Sequence, residues 1–202
     1  MKPKLLLALI IPSFLIGCGN QSGGKDPIDP PVDTFEFTVD FTVAKETNTK
    51  DENNFVSKFS SNFVYEEEQL ISDLKYSGFS QINHVEQETQ NATWTERALM
   101  FGSQNEMGKL QFIFTHKLVS VLFIARTHMK LYKSGSTYGV SADTNSKLFI
   151  NDAEWLLENR SISDYGVDDK EFEIDSDKLT INTLNEGKKR AWIFSANFVF
   201  EK

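Results

Sequence analysis

The sequence predicts an all-β fold, a β-sandwich or barrel carrying at most one or two short helices. Three observations lead there. Apolar and polar residues alternate over several segments, the period of a strand with one buried face. The chain uses 17 phenylalanines, mostly at such alternating positions. Polar, turn-rich connections separate the segments, as in folds built from many short strands.

The chain has 202 residues, 40% of them hydrophobic, and a formal charge of −8. That supplies one core and one domain, with room for a short tether, and argues against wholesale disorder. The acidic balance argues against nucleic acid as a partner, because phosphates need a basic face.

The first segment is a leader, residues 1–17. Lys2 and Lys4 give it a positive end, and Leu5 to Ile16 form an apolar run broken only by Pro12 and Ser13. A membrane-spanning helix needs ~20 apolar residues, so this run suits the hydrophobic part of a cleaved signal peptide, with small Gly17 before the cut. Leu15-Ile16-Gly17-Cys18 resembles the lipobox of bacterial lipoproteins. The resemblance implies that the Cys18 thiol carries diacylglycerol and that cleavage leaves Cys18 first. The alternative is an ordinary signal peptide with a chance cysteine. Cys18 is the chain's single cysteine, and it stands where the motif needs it. Each buried methylene contributes ~0.8 kcal/mol and stable anchoring takes two chains or more, so acylation, palmitate included, would fix the protein at the cell membrane or cell surface on the extracytoplasmic side. Once Cys18 is lipidated, no thiol is left for a disulfide, a nucleophile or a metal.

Residues 18–33 read as the lipidated tether. Gly19 to Asp33 holds three glycines and three prolines, flexible chain followed by stiffer extended chain. Residues 34–202 form the predicted domain, which contains no proline.

Its strands follow in order. Phe35, Phe37, Val39, Phe41 and Val43 alternate with polar residues. Leu110, Phe112 and Phe114 alternate with Gln111, Ile113 and Thr115, and Val119, Val121, Phe123 and Ala125 continue after a break at His116-Lys117. Shorter strands are predicted over Lys147 to Asn151, Glu171 to Asp175 and Lys178 to Asn182. Trp192, Phe194, Ala196, Phe198 and Phe200 close the chain. Glu66 to Lys75 reads as a helix, because Leu70, Ile71 and Leu74 share one helical face and Gly78 follows as a stop. Asn151-Asp152 is expected to turn a hairpin, a capped short helix being the alternative. Asn83 to Thr95, Ser134 to Ser146 and Asn159 to Asp169 read as loops.

From Trp94 onward the order of features is similar to a known group. Arg97-Ala98-Leu99-Met100-Phe101-Gly102-Ser103, Gly108 to Phe114, Leu148 to Asn151, Phe172 to Ile174, Leu179 to Ile181 and Lys189 to Phe194 carry the likeness. They resemble the jelly-roll modules on surface and secreted proteins of low-GC Gram-positive bacteria. The wider fold is the galactose-binding-like sandwich of many carbohydrate-binding modules. The resemblance covers about half the chain and implies an antiparallel β-sandwich, jelly-roll-like. Its motifs are structural, and no binding-site motif of a named sugar-binding family accompanies them. Read without the family, Gly102 allows a backbone bend, and Arg190 opens the last strand ready for an acidic partner.

No motif for catalysis is present. There is no His-Glu-x-x-His, no Gly-x-Ser-x-Gly elbow and no phosphate loop. A glycosidase pair needs two carboxylates ~5 to 9 Å apart across a cleft, a spacing the sequence does not specify. The expectation is therefore no enzyme and no cofactor, a structural calcium ion excepted. Asp164, Asp168, Asp169 and Glu171 crowd one predicted loop and Asp143 and Asn145 another, and calcium draws its six to eight oxygens from such loops. The same charges also suit a solvated face.

Trp94 in its polar loop, Trp155 beside a turn, and Tyr132 and Tyr138 around Ser134 to Ser136 are the candidate ligand contacts. Such rings stack on sugars and offer a polar edge. Trp192 reads as core. The expected role is recognition of a glycan or extracellular polymer. The alternative is an adhesive or structural subunit, fimbrillin-like, that binds protein partners by strand addition along Thr34 to Val43. An exposed aromatic platform would favour the first, a long uncovered edge the second.

Overall fold

The structure is a computed structural model. It describes residues 32–51, 54–88, 93–103, 105–134, 137–159, 166–183 and 189–202, without the side chains at 83–88, 93–96, 129–134 and 137–142. All belong to one compact unit, Val32–Lys202. The leader, Cys18 and most of the predicted tether lie outside the described residues.

The fold is an antiparallel β-sandwich with one short helix among the described residues. Strands β1 (Thr34–Asp40) and β2 (Thr47–Asn48) precede helix α1 (Phe55–Ser60). Then come β3 (Val64–Tyr65), β4 (Glu68–Gln69), β5 (Ile71–Gly78), β6 (Ser80–Glu88) and β7 (Thr93–Phe101). The long β8 (Gly108–Thr127) is followed by β9 (Met129–Ser134), β10 (Thr137–Ala142), β11 (Lys147–Ile150), β12 (Ala153–Leu156), β13 (Asp168–Thr183) and β14 (Ala191–Glu201). The main sheet runs β12-β11-β13-β8-β14-β7-β6-β2, with β1 on β14 and β5 on β8.

Strand β8 is the spine. Its first half pairs with β5, from Gly78↔Gly108 to Ile71↔Phe114, and its second half with β14, from Phe200↔Leu118 to Ala191↔Thr127. Strand β13 accompanies both halves, but its register jumps from Lys178↔Ile113 to Ser176↔Leu118. Several β8 residues therefore face one residue of β13, and such a bulge bends a strand sharply. The bend falls at the predicted break, His116-Lys117. Lys117 clamps it by pairing with Asp175 in the bulge and with Glu201 of β14 at 2.8 Å. The Asp175 and Glu201 carboxylates raise the pKa of that ammonium above the usual lysine range.

The bend brings Phe114 of the first half against Phe198 and Phe200 of β14, with ring centroids 5.8 and 5.2 Å apart. Phenylalanine fills the space between. Phe55 and Phe59, one helical turn apart on α1, are both fully buried, and Phe63 lies 5.8 Å from Phe112 and 5.6 Å from Phe198. The main core cluster reaches from Phe37 to Phe200, and a smaller one holds Ala98, Trp192 and Phe194. Burying each such ring contributes ~1.5–3 kcal/mol.

Several expectations are corrected. Glu66 to Lys75 is not helix but a two-residue turn followed by β4 and the start of β5. The register of β5 shifts between Ile71 and Asp73, and this bulge puts Ile71 and Leu74, three residues apart, both into the core. A bulged strand thus imitates helical spacing. Gly78 does turn the chain, at φ +66, but it ends a strand. The Asn83–Thr95 segment is mostly strand, paired from Ser80↔Phe101 to Glu88↔Thr93, and Ser134–Ser146 contains β10 on β9. The ladder at 83–88 and 93–95 forms although the sequence lacks apolar alternation there, whereas β10 does place Tyr138, Val140 and Ala142 at period two. The Asn151-Asp152 hairpin stands as expected.

Candidate functional site

The described residue set most suited to a ligand is a shallow cleft where β1, the β3–β4 hairpin and the bend of β8 meet. It has a volume of about 390 Å³ and is lined by Phe35, Tyr65, Glu66, Glu68, His116 and Lys202. Alternation on β1 turns Phe35 inward, where it stacks on Phe200 at 5.4 Å. Tyr65 also stacks on Phe35, at 4.8 Å, and Phe198 stacks on Phe200 at 6.0 Å, interplanar angle 13°. A column of four rings therefore runs from the core to the cleft, with Tyr65 as its last ring. Offset stacking contributes ~0.5–1.5 kcal/mol per pair beyond area burial, which fixes Tyr65 without help from a ligand. His116 meets the Phe35 edge at 5.2 Å.

The polar rim comes from a two-residue turn. Tyr65 pairs with Glu68, and Glu66 and Glu67 between them have φ +46 and +72. Positive φ at both central residues is the tight-hairpin geometry that asparagine and glycine favour. Glutamates there hold a strained conformation. The turn carries Glu66 and Glu68 to the cleft, where Glu68 Oε1 lies 3.2 Å from His116 Nε2. Lys202 Nζ is paired with Asp33 at 3.0 Å. The arrangement offers one aromatic ring end beside carboxylate acceptors and an imidazole.

A second, larger groove of about 530 Å³ is lined by Val119, Ser120, Glu171, Glu173 and Asp175. No ring lines it, and Ser120 already donates to Glu171 at 2.8 Å.

The sequence-derived candidates fall elsewhere. Trp155 is a core residue, 6% exposed, with Phe172 at 5.9 Å. Alternation on β12 turns it inward from Leu148, its ladder partner. Trp94 stands in β7 opposite Gln87, and Tyr132 and Tyr138 in the β9–β10 ladder, so none is in a loop. Their side chains lie outside the description. Asp164 lies outside the described residues. Asp168, Asp169 and Glu171 follow one another along β13 rather than a loop. Asp168 accepts the Glu158 N–H at 2.7 Å, and Glu171 accepts from Ser120. Among the described residues no three His, Cys, Asp or Glu side chains converge as metal ligands.

Trp192 is buried as expected, with the Arg126 guanidinium 4.9 Å above its ring. Arg190 finds its acidic partner. Its Nε and Nη2 donate to Asp143 Oδ2 and Oδ1 at 2.8 and 2.9 Å, and its backbone N–H donates to Oδ2 at 2.9 Å. Asp143, read above as a calcium candidate, is thus engaged in a buried fork that ties the β10–β11 connection to the start of β14. The cleft itself was missed because its pieces are far apart in sequence. The available signals were the inward phase of Phe35 and the mid-chain pair Glu66-Glu67 before a bulge.

No protein-family model and no curated protein matches the chain. Among solved structures, the chain is similar to a carbohydrate-binding module, TmCBM61, solved in complex with β-1,4-galactotriose. The likeness covers 66% of this chain and 91% of that one, at 12% identity and a TM-score of 0.33. At that distance the cleft has to be read from its own residues.

Proposed function

We propose that this is a surface lipoprotein, anchored through Cys18, whose folded unit binds a glycan without cleaving it. The observation that carries the reading is the ring column ending at Tyr65 in an open cleft with Glu66, Glu68 and His116 on its rim. A sugar ring has an apolar face and a polar periphery. The Tyr65 ring suits the first, and carboxylate and imidazole acceptors suit the second. The pre-stacked column lowers the ordering cost of binding.

Titration of the purified full chain in detergent with an oligosaccharide panel tests this. Binding to at least one oligosaccharide, kept in Tyr65→Phe, lost in Tyr65→Ala and returning the sugar unshortened, is the expected result. A blank panel with folded protein, or full binding by Tyr65→Ala, would overturn it. Membrane attachment has its own test: Cys18→Ser should release the protein into the soluble fraction.

One observation favours the second reading, strand addition. Among the described residues β1 pairs with β14 alone, so its outer edge has no strand partner. Such an edge can accept a partner's strand. A blank glycan panel together with capture of an extended peptide that Thr38→Pro abolishes would move the assignment there.

A further inference from the structure

We infer that the cleft selects a sugar carrying a free amine, a 2-amino-2-deoxy glycan in its ammonium form. This rests on the glycan reading above and names its substrate class. The lining carries two carboxylates, Glu66 and Glu68. Lys202 Nζ is held by Asp33 at 3.0 Å, and His116 Nε2 already faces Glu68 at 3.2 Å. The cleft is therefore anionic beside an aromatic ring end.

That combination discriminates between sugar classes. A uronate or a sulfated sugar would meet like charge. A neutral sugar would cover Glu66 and remove its water in exchange for neutral hydrogen bonds. An ammonium group makes charge-assisted bonds to the carboxylates, which are shorter and stronger than neutral ones, and is drawn to the face of Tyr65. The turn supports the assignment. Asparagine or glycine would fit φ +46 and +72 better than glutamate, yet glutamate occupies both positions.

The test compares β-1,4-linked glucosamine oligomers with N-acetylglucosamine and glucose oligomers of equal length, on the full chain. The account expects the amine form to bind about tenfold tighter, by about 1.4 kcal/mol. The preference should vanish in a Glu66→Gln/Glu68→Gln variant and above the pKa of the amine. Glu173→Gln, in the other acidic groove, is the control for diffuse attraction to an acidic protein and should leave the preference intact. Equal binding of neutral oligomers would overturn this inference and leave the glycan reading standing. An equal loss of preference in Glu173→Gln would also overturn it, as nonspecific charge attraction. Binding of none of these oligomers would overturn this inference, while the glycan reading stands or falls on the wider panel above.

Discussion

Two hairpin turns in this molecule share a backbone and differ in sequence. Asn151-Asp152 joins β11 to β12 with φ of +45 and +70, and Glu66-Glu67 joins β3 to β4 with +46 and +72. At the first, the residues suit the geometry, because short polar side chains tolerate the left-handed region. Asn151 is also tied to β13. Its Oδ1 accepts the Thr180 N–H at 2.7 Å, and its Nδ2 donates to the Lys178 carbonyl at 3.2 Å. At the second, two long acidic side chains occupy the same conformation without that local benefit, and Glu66 lines the cleft. The first turn is a structural device. The second has a strained backbone beside the aromatic column, which is where a functional constraint is expected.

Substitutions can break or sharpen that contrast. The largest effect is expected at a position where only glycine fits. A Cβ on Gly78, at φ +66, would lie 1.8 Å from the Met107 carbonyl oxygen, so Gly78→Ala should cost about 3 kcal/mol in urea unfolding. Asn151→Val comes next. Left-handed strain at a β-branched residue and two lost hydrogen bonds should cost about 2 kcal/mol, read as a lower midpoint at unchanged slope. Glu67→Gly should go the other way and raise stability by about 1 kcal/mol, because it relieves strain and Glu67 does not line the cleft. Glu66→Asn should stabilise by only a few tenths of a kcal/mol while weakening oligosaccharide binding. If Glu67→Gly destabilised the protein as much as Asn151→Val does, the two turns would be equivalent and the contrast would fail.

The same pair explains what the sequence made legible. The Asn-Asp turn was read correctly because its residues state the conformation. The Glu-Glu turn and the bulge after Ile71 together imitated a helix. Strands β8, β13 and β14 were legible because one face of each is buried and alternation records it. The break at His116-Lys117 even marked the bend. The parts of β6 and β7 within Asn83–Thr95 read as loop, since backbone pairing needs no apolar period, and β10 read as loop although Tyr138, Val140 and Ala142 fall at period two. Helix α1 was missed although Phe55 and Phe59 stand four apart, the spacing of one helical face. For the site, the sequence pointed to Trp94, Trp155, Tyr132 and Tyr138. The fold buries Trp155 and Trp192, and it assembles the cleft from Phe35, Tyr65 and His116, which no motif links. The expectation for Arg190 was met because a charge at a strand start needs a partner, and Asp143 supplies it.

The central claim is that a glycan binds at the end of the ring column. The most direct measurement is oligosaccharide affinity of the full chain, wild type against Tyr65→Ala, with Tyr65→Phe as the folding and stacking control. The account predicts that Tyr65→Phe keeps the affinity within about threefold and that Tyr65→Ala loses about tenfold or more, a difference of about 1.4 kcal/mol or larger. Unchanged affinity in a folded Tyr65→Ala protein would contradict it.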